Sequence, residues 1–226
     1  MVKTDVVPCT KEEMDKLIQA SLDNQFFYTL FMVAKTTGRR LGELYGSQKV
    51  KEIGKIIVGH KPAYDSEGNP ISMAIVRTKF KKIPNEWEGG VKVNDIDFNN
   101  GIMKIWVLKR GKLIQDESIL TKDVSNMLKA YILSKKLKPE DYVFREVSYR
   151  QIQNKIVSYT KKADINHKIS FHNFRHYFVT ELKKQGWTND RIAKLTGHKS
   201  PSVLSIYDHV VASDIKEDAL KAIKNI

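Results

Sequence analysis

An α+β fold, mainly helical with one small antiparallel three-stranded sheet, follows from three observations on this 226-residue chain. Apolar residues recur at helical spacing in the first and last thirds, with capping residues before them and glycines after them. One central stretch alternates like strands and is cut by turns at Asn99-Asn100-Gly101 and around Lys109-Arg110-Gly111-Lys112. No apolar run approaches the length of a membrane span, so the helical stripes belong to a packed core and no membrane partner is expected.

Taken in order, Thr10 and Glu13 form a capping box that opens a helix with Met14, Leu17, Ile18 and Leu22 as its buried stripe. Residues 25–36, QFFYTLFMVAKT, are too short to span a bilayer and are expected as a core helix. Thr37-Gly38 breaks it, and RRLGELYG restarts a helix with Arg39 and Arg40 in its first turn and Leu41 and Leu44 turned to the core. Residues 46–90 carry an Asp-Ser-Glu-Gly-Asn-Pro turn, candidate strands on either side, and a basic run at Arg77, Lys79, Lys81 and Lys82. They are expected to be an insertion, a subdomain or loop pair, whose plainest alternative is a solvated basic face.

From Val91 three strands are expected: VKVNDIDF, IMKIWVL and LIQDESIL. The second turn would set three cations in four residues at a hairpin tip, a shape able to enter a groove. Thr121 then caps a helix with Val124, Leu128, Tyr131 and Ile132 inward, and residues 149–163 make another through Ile152, Ile156 and Val157. A last amphipathic helix is expected over 211–226, packing on its own domain or on a neighbouring subunit.

Length and a 41% hydrophobic content allow a full core. The net charge of +13 and pI near 9.6 favour a polyanionic partner, nucleic acid first. Cys9 is the one cysteine, which excludes a disulfide framework or thiolate cluster and fits a reducing, cytosolic compartment.

Chemistry gathers in residues 170–209. His172 and Arg175 lie three apart in a run whose Phe171, Phe174, Phe178 and Leu182 recur at helical spacing, so both can point at one ligand. Gly186 ends that helix, Thr188 can cap a second with Ile192 and Leu195, and Gly197 ends the second just before His198. Ser200-Pro201 opens a short helix presenting Tyr207. Two histidines, an arginine and a tyrosine with no acid among them make a site for an anion. His172 and His176, at i and i+4, also have zinc-ligand spacing, but no glutamate follows His172 and no third ligand is evident, so no metal is expected.

These segments resemble the tyrosine recombinase, or phage-type integrase, family. Its signature is a TGxRxxEL segment, a lysine on a β-hairpin, an HxxR helix, a GH segment and a tyrosine nine residues after that histidine. Here stand TTGRRLGEL, the hairpin at 102–119, HNFRH, LTGHKS and SIYDH, in that order. The resemblance covers residues 10–226, with 46–90 longer than the family pattern requires. It implies the DNA breaking-rejoining fold as one catalytic domain over 1–226. It also implies Arg40, His172, Arg175, His198 and Tyr207 as catalytic residues, with Lys109, or next Lys112, as the hairpin lysine. Arg39 is the rival to Arg40, but spacing from Thr-Gly favours Arg40. Arg39, Arg110, Lys112 and Lys199 are the expected DNA-contacting cations. Such an enzyme needs no metal or other cofactor, binds double-stranded DNA, and works as a tetramer on recombining DNA while monomeric or weakly oligomeric when free.

The implied activity is site-specific recombination or integration through a 3′-phosphotyrosine, viral integration among its settings. A type IB topoisomerase-like or telomere-resolvase-like strand transferase and a non-catalytic DNA-binding module are the alternatives. Family members usually carry an N-terminal domain that grips the far side of the duplex; this sequence begins where the catalytic domain should, so that domain is expected to be absent.

Overall fold

The computed structural model describes residues 9–109, 112–197, 202 and 204, and for residues 50, 84, 85, 108, 109 and 112 the backbone alone. The chain divides into two units, residues 1–46 with 89–226, and Ser47–Glu88. The expected C-terminal helix over 211–226 lies outside the described residues.

The larger unit is built around α2. The first helix, α1 (Lys11–Ala20), opens on the expected capping box: Glu13 N donates to Thr10 Oγ1 at 3.1 Å and Thr10 N to Glu13 Oε2 at 2.9 Å. It buries Met14, Leu17 and Ile18, but stops at Ala20, where Ser21 Oγ donates back to the Ile18 carbonyl. Leu22 therefore falls in the turn and is 54% exposed, not part of the stripe. Asn24 caps α2 (Gln25–Thr37), which is buried on nearly every side, as its continuous apolar run requires. Around it stand α4 (Lys122–Ser134), α5 (Tyr149–Lys162) and α6 (His172–Lys184). Phe31 of α2 lies 5.2 Å from the Phe174 ring of α6 and 5.9 Å from Tyr159 of α5, and Phe26 lies 6.4 Å from Tyr131 of α4. Each aromatic buries a large area and fixes an angle of approach, so three helices are registered on one.

Gly38 ends α2 in the left-handed region at φ +62, and a Cβ there would come 2.5 Å from the Phe178 ring of α6. The short α3 (Leu41–Leu44) follows with Leu41 and Leu44 buried.

The sheet of this unit is β3 (Ile96–Asp97), β4 (Ile102–Lys109) and β5 (Lys112–Ile119), antiparallel in that order. Its first strand is far shorter than the alternation of VKVNDIDF suggests. Asp95 Oδ2 accepts from Lys92 N at 2.8 Å, and Val93–Asp95 turn into a single 3-10 turn; only Ile96 and Asp97 pair with β4. Short acidic side chains capture local backbone donors and so compete with a ladder. The last α-helix among the described residues is α7 (Asn189–Thr196), ended by Gly197 at φ +69.

The second unit is a single ribbon: β1 (Ser47–Tyr64) pairs antiparallel with β2 (Pro70–Glu88). In the larger unit, the residues flanking it are tied together. Val91 N donates to the Leu44 carbonyl at 3.0 Å, and Arg145 donates to the carbonyls of Tyr45 and Gly89, both at 2.8 Å. Those bonds do not involve the ribbon.

Replacing Phe31 by Ala should lower stability by about 3–5 kcal/mol, since the cavity opens where three helices meet. Urea unfolding followed by circular dichroism measures it; a loss below about 1 kcal/mol would show that α2 is not the organising post.

Candidate active site

Two adjacent arginines have opposite fates. After the left-handed turn at Gly38, Arg40 is extended and forms the N-cap of α3. Successive side chains of extended backbone point to opposite sides. Arg39 turns inward: its side chain is 0% exposed, and it donates from Nε to Ser118 Oγ (2.6 Å), from NH1 to Asp116 Oδ2 (2.6 Å), and from NH2 to the carbonyls of Glu117 and Leu195. Arg40 turns outward and is 44% exposed. The sequence-based expectation that Arg39 contacts DNA is thereby corrected, because a buried guanidinium whose three nitrogens all donate within the fold cannot reach a phosphate.

Arg39 has a structural task instead. It ties the α2–α3 turn to β5 and to the C-terminal turn of α7, the segment that leads into the expected His198. The fit at that end is close: a Cβ on Gly197 would come 2.6 Å from Asp116 Oδ2 and 3.2 Å from Arg39 NH1.

On the outward side Glu43 gathers the cations. Its Oε2 accepts from Arg40 N at 3.0 Å and its Oε1 pairs with Arg40 NH1 at 3.0 Å, while Arg175 NH1 lies 3.8 Å from Oε2. Glu43 is buried, and Arg175, the third residue after His172 on α6, is 1% exposed and donates to the Gly38 carbonyl at 3.1 Å. The site therefore contains a carboxylate, which the anion reading of residues 170–209 did not include. Its signal was in the sequence: the glutamate of TGxRxxEL stands one helical turn after Arg40.

His172 opens α6 and reaches solvent. Burial of its surroundings, then the charges of Arg40 and Arg175, hold its imidazole below the ordinary histidine value, with Glu43 pulling the other way. An imidazole so placed is neutral near pH 7 and able to accept a proton. His176 stands edge-on to it, ring centroids 4.5 Å apart, and burial, with His172 and Arg175, pushes it down to about 4. Among the described residues no cluster of three His, Cys, Asp or Glu is placed to hold a metal ion.

Among the expected site residues, the fold brings together Arg40, His172 and Arg175. Lys109 and Lys112 are paired across the end of the β4–β5 hairpin, their backbone alone being described. Arg110, His198, Lys199 and Tyr207 lie outside the described residues. Cys9 is buried, and burial followed by the Glu13 charge pushes its thiol up to about 12, so it is no nucleophile. Among the described residues no helix is long and apolar enough to cross a membrane.

A mainly helical domain with a small antiparallel sheet, presenting an Arg-Glu-His-Arg cluster between its N-terminal helices and α6, defines the integrase class of catalytic domain. The model of the phage integrase family matches residues 89–213, more than half of the chain, and the chain belongs to that family. The match takes in Lys109, His172, Arg175, His198 and Tyr207; Arg40 lies upstream of it and is joined to it by the fold. The chain is 32% identical over 137 residues to tyrosine recombinase XerA of Saccharolobus solfataricus, covering 60% of this chain and 44% of that protein. It is 27% identical over 217 residues to the ICEBs1 integrase of Bacillus subtilis, covering 93% of this chain and 52% of that one. The chain thus spans about half the length of the curated relatives it matches. The crystal structure of XerA recombinase superposes with a TM-score of 0.66 at 21% identity, over 98% of this chain and 65% of that one, a likeness of fold.

Replacing Arg39 by Met should lower stability by about 3 kcal/mol, because Asp116, Ser118 and two carbonyls lose their donor. A phosphate-contacting arginine would instead weaken DNA binding while leaving the urea midpoint unchanged. The imidazole of His176 has its own signature in pH. Its folded value, about 4 against 6.5 for the free group, means the unfolded chain takes up the proton first as pH falls. Stability from this group is complete above about pH 6.5 and lost towards about pH 4. His176→Gln should flatten the fall of the urea midpoint over that window; an unchanged slope would count against a buried neutral ring.

Proposed function

We propose that this chain is the catalytic part of a site-specific DNA recombinase or integrase that cuts and rejoins DNA through a covalent tyrosine ester. The observation that carries the reading is the convergence of Arg40, His172 and Arg175 about Glu43, in a chain whose family match extends through Tyr207. In the reaction, the Tyr207 oxygen attacks a backbone phosphorus, its proton passing to a neutral histidine, His172 or His198. The P–O5′ bond breaks, leaving a 3′-phosphotyrosine and a 5′-oxygen that takes a proton from Lys109. Rejoining is the reverse. Arg40 and Arg175 hold the non-bridging oxygens as charge grows on the five-coordinate phosphorus, a task suited to planar guanidinium donors. Glu43 orients both before DNA arrives. Arg110, Lys112 and Lys199 contact the duplex backbone.

Double-stranded DNA is the partner, two duplexes being brought together by four copies of the enzyme. Alignment with the ICEBs1 integrase along nearly the whole chain supports integration as the activity; a viral element as its setting and the cytoplasm or nucleoid of the host as its place are part of this proposal.

A nicked suicide duplex tests the chemistry. Wild-type protein should give a DNA adduct that survives denaturant, absent in Tyr207→Phe. Arg40→Ala should retain the fold and lower the rate of adduct formation by on the order of 10²–10³. A wild-type protein that forms no adduct on the DNA junctions of its own element would overturn the catalytic reading.

A further inference from the structure

The ribbon Ser47–Glu88 has a use that the recombination chemistry does not assign. It is long, its strands running 18 and 19 residues, and both of its faces are largely exposed. An isolated two-stranded hairpin is marginal in water, so such a length with apolar residues such as Ile57, Val76 and Ile75 uncovered points to an occupant. The pairing register sorts its charges. Cross-strand partners share a face, and successive residues of β2 lie on opposite faces. One face carries Lys81 opposite Lys51, Lys79 opposite Gly54, Arg77 opposite Ile56, Ile75 opposite Gly59, and Met73 opposite Lys61. The other carries Phe80 opposite Glu52, Thr78 opposite Lys55, and Val76 opposite Ile57. Along the stretch from Lys51 to Lys81 the acids are thus kept off the first face: Glu52 lies on the other, Asp65 and Glu67 lie in or beside the connecting turn, and the remaining acids, Glu86 and Glu88, lie at the base of the ribbon.

Lys51, Lys61, Arg77, Lys79 and Lys81 are all exposed, and none has an ion-pair partner among the described residues, whereas Lys49 at the base is paired with Glu86 at 3.4 Å. Like charges directly opposite, as Lys51 and Lys81 are, destabilise a free ribbon. Arg77, Lys79 and Lys81 follow at every second residue, about 6.6 Å apart. That is comparable to the separation of successive phosphates along one DNA strand. A row of unpaired cations at that interval, without a carboxylate between them, matches a phosphodiester backbone better than it matches a protein surface of mixed sign.

We propose that this face of the ribbon, centred on Lys51, Arg77, Lys79 and Lys81, is a second DNA-binding element that grips duplex backbone without reading sequence. It rests on the reading that the chain acts on DNA. Each cation that meets a phosphate releases a counterion, and contacts of this kind set affinity and its salt dependence rather than specificity.

The test is a salt series of fluorescence anisotropy with a labelled duplex of arbitrary sequence, run on wild type and on the variant Lys51→Gln, Arg77→Gln, Lys79→Gln, Lys81→Gln. A control, Lys11→Gln, Lys16→Gln, Lys122→Gln, Lys138→Gln, removes the same charge from α1, α4 and the loop after α4 in the larger unit. The ribbon variant should show a log affinity against log salt slope shallower by roughly 3 to 4, and the control a change less than half as large. The single changes Arg77→Gln and Lys79→Gln, each worth about 0.9 in slope, serve if the fourfold variant does not fold. A ribbon variant with the wild-type slope overturns the proposal, and does so decisively if it has lost self-association in sedimentation, since the face would then meet a second copy. Adduct formation on the nicked duplex separates the two readings. Wild type that forms adduct while the ribbon variant keeps its slope sinks the ribbon alone; wild type that neither binds duplex nor forms adduct sinks the recombinase reading with it.

Discussion

Two guanidinium groups brought to one place repel each other, and the more strongly the less water surrounds them. The buried carboxylate of Glu43 resolves that conflict for Arg40 and Arg175, holding one at 3.0 Å and standing 3.8 Å from the other. Much of the larger unit serves this one arrangement. Glu43 is placed by a helix of one turn, that helix is placed by the left-handed turn at Gly38, and the Gly38 carbonyl in turn accepts from Arg175. Removing the carboxylate would take a counter-charge from buried Arg175 and the ion-pair partner from Arg40, and losing one member of a buried pair costs more than the net worth of the pair.

The arrangement also suits a ligand. A phosphate offers several oxygens to the donors that Glu43 holds in readiness, and Arg40 keeps part of its side chain in solvent where such a group can approach. Arg175 is already fixed in depth by packing, so little order is lost when the ligand arrives. His172 borders both, and its depressed basicity leaves it neutral when the two arginines are charged.

Arg39 shows the same residue type put to the opposite use. With its donors spread over Ser118, Asp116 and the carbonyls of Glu117 and Leu195, it joins three segments distant in sequence. An arginine can do this because its planar fork satisfies several acceptors at once. The consequence is that the arginine turn, the β5 strand of the hairpin and the end of α7 are set against one another by a single side chain.

The described helices, the caps at Thr10 and Thr121, the hairpin strands and the order of the signature segments were legible in the sequence, because each rests on local rules: 3.6-residue periodicity, a capping side chain three residues from its backbone donor, glycine at a left-handed helix end; the caps at Asn24 and Ser148 emerged only with the structure. His172 and Arg175 could be assigned to one helix face by spacing alone. Spacing from Thr-Gly favoured Arg40 over Arg39, but it could not show where either side chain points, since adjacent residues differ in the direction the folded turn gives them. Nor could it show Asp116 waiting for Arg39, or Leu22 left outside a helix that stops one turn early, or Asp95 drawing Lys92 out of a strand. The ribbon was visible as a turn between candidate strands with a basic run; its sorting into a cationic and a mixed face depends on the register with which two strands pair. Sequence determined the elements and the chemistry they carry, because those follow from neighbours along the chain. Tertiary structure decided which charges are buried together and which remain for a partner, because that follows from neighbours in space.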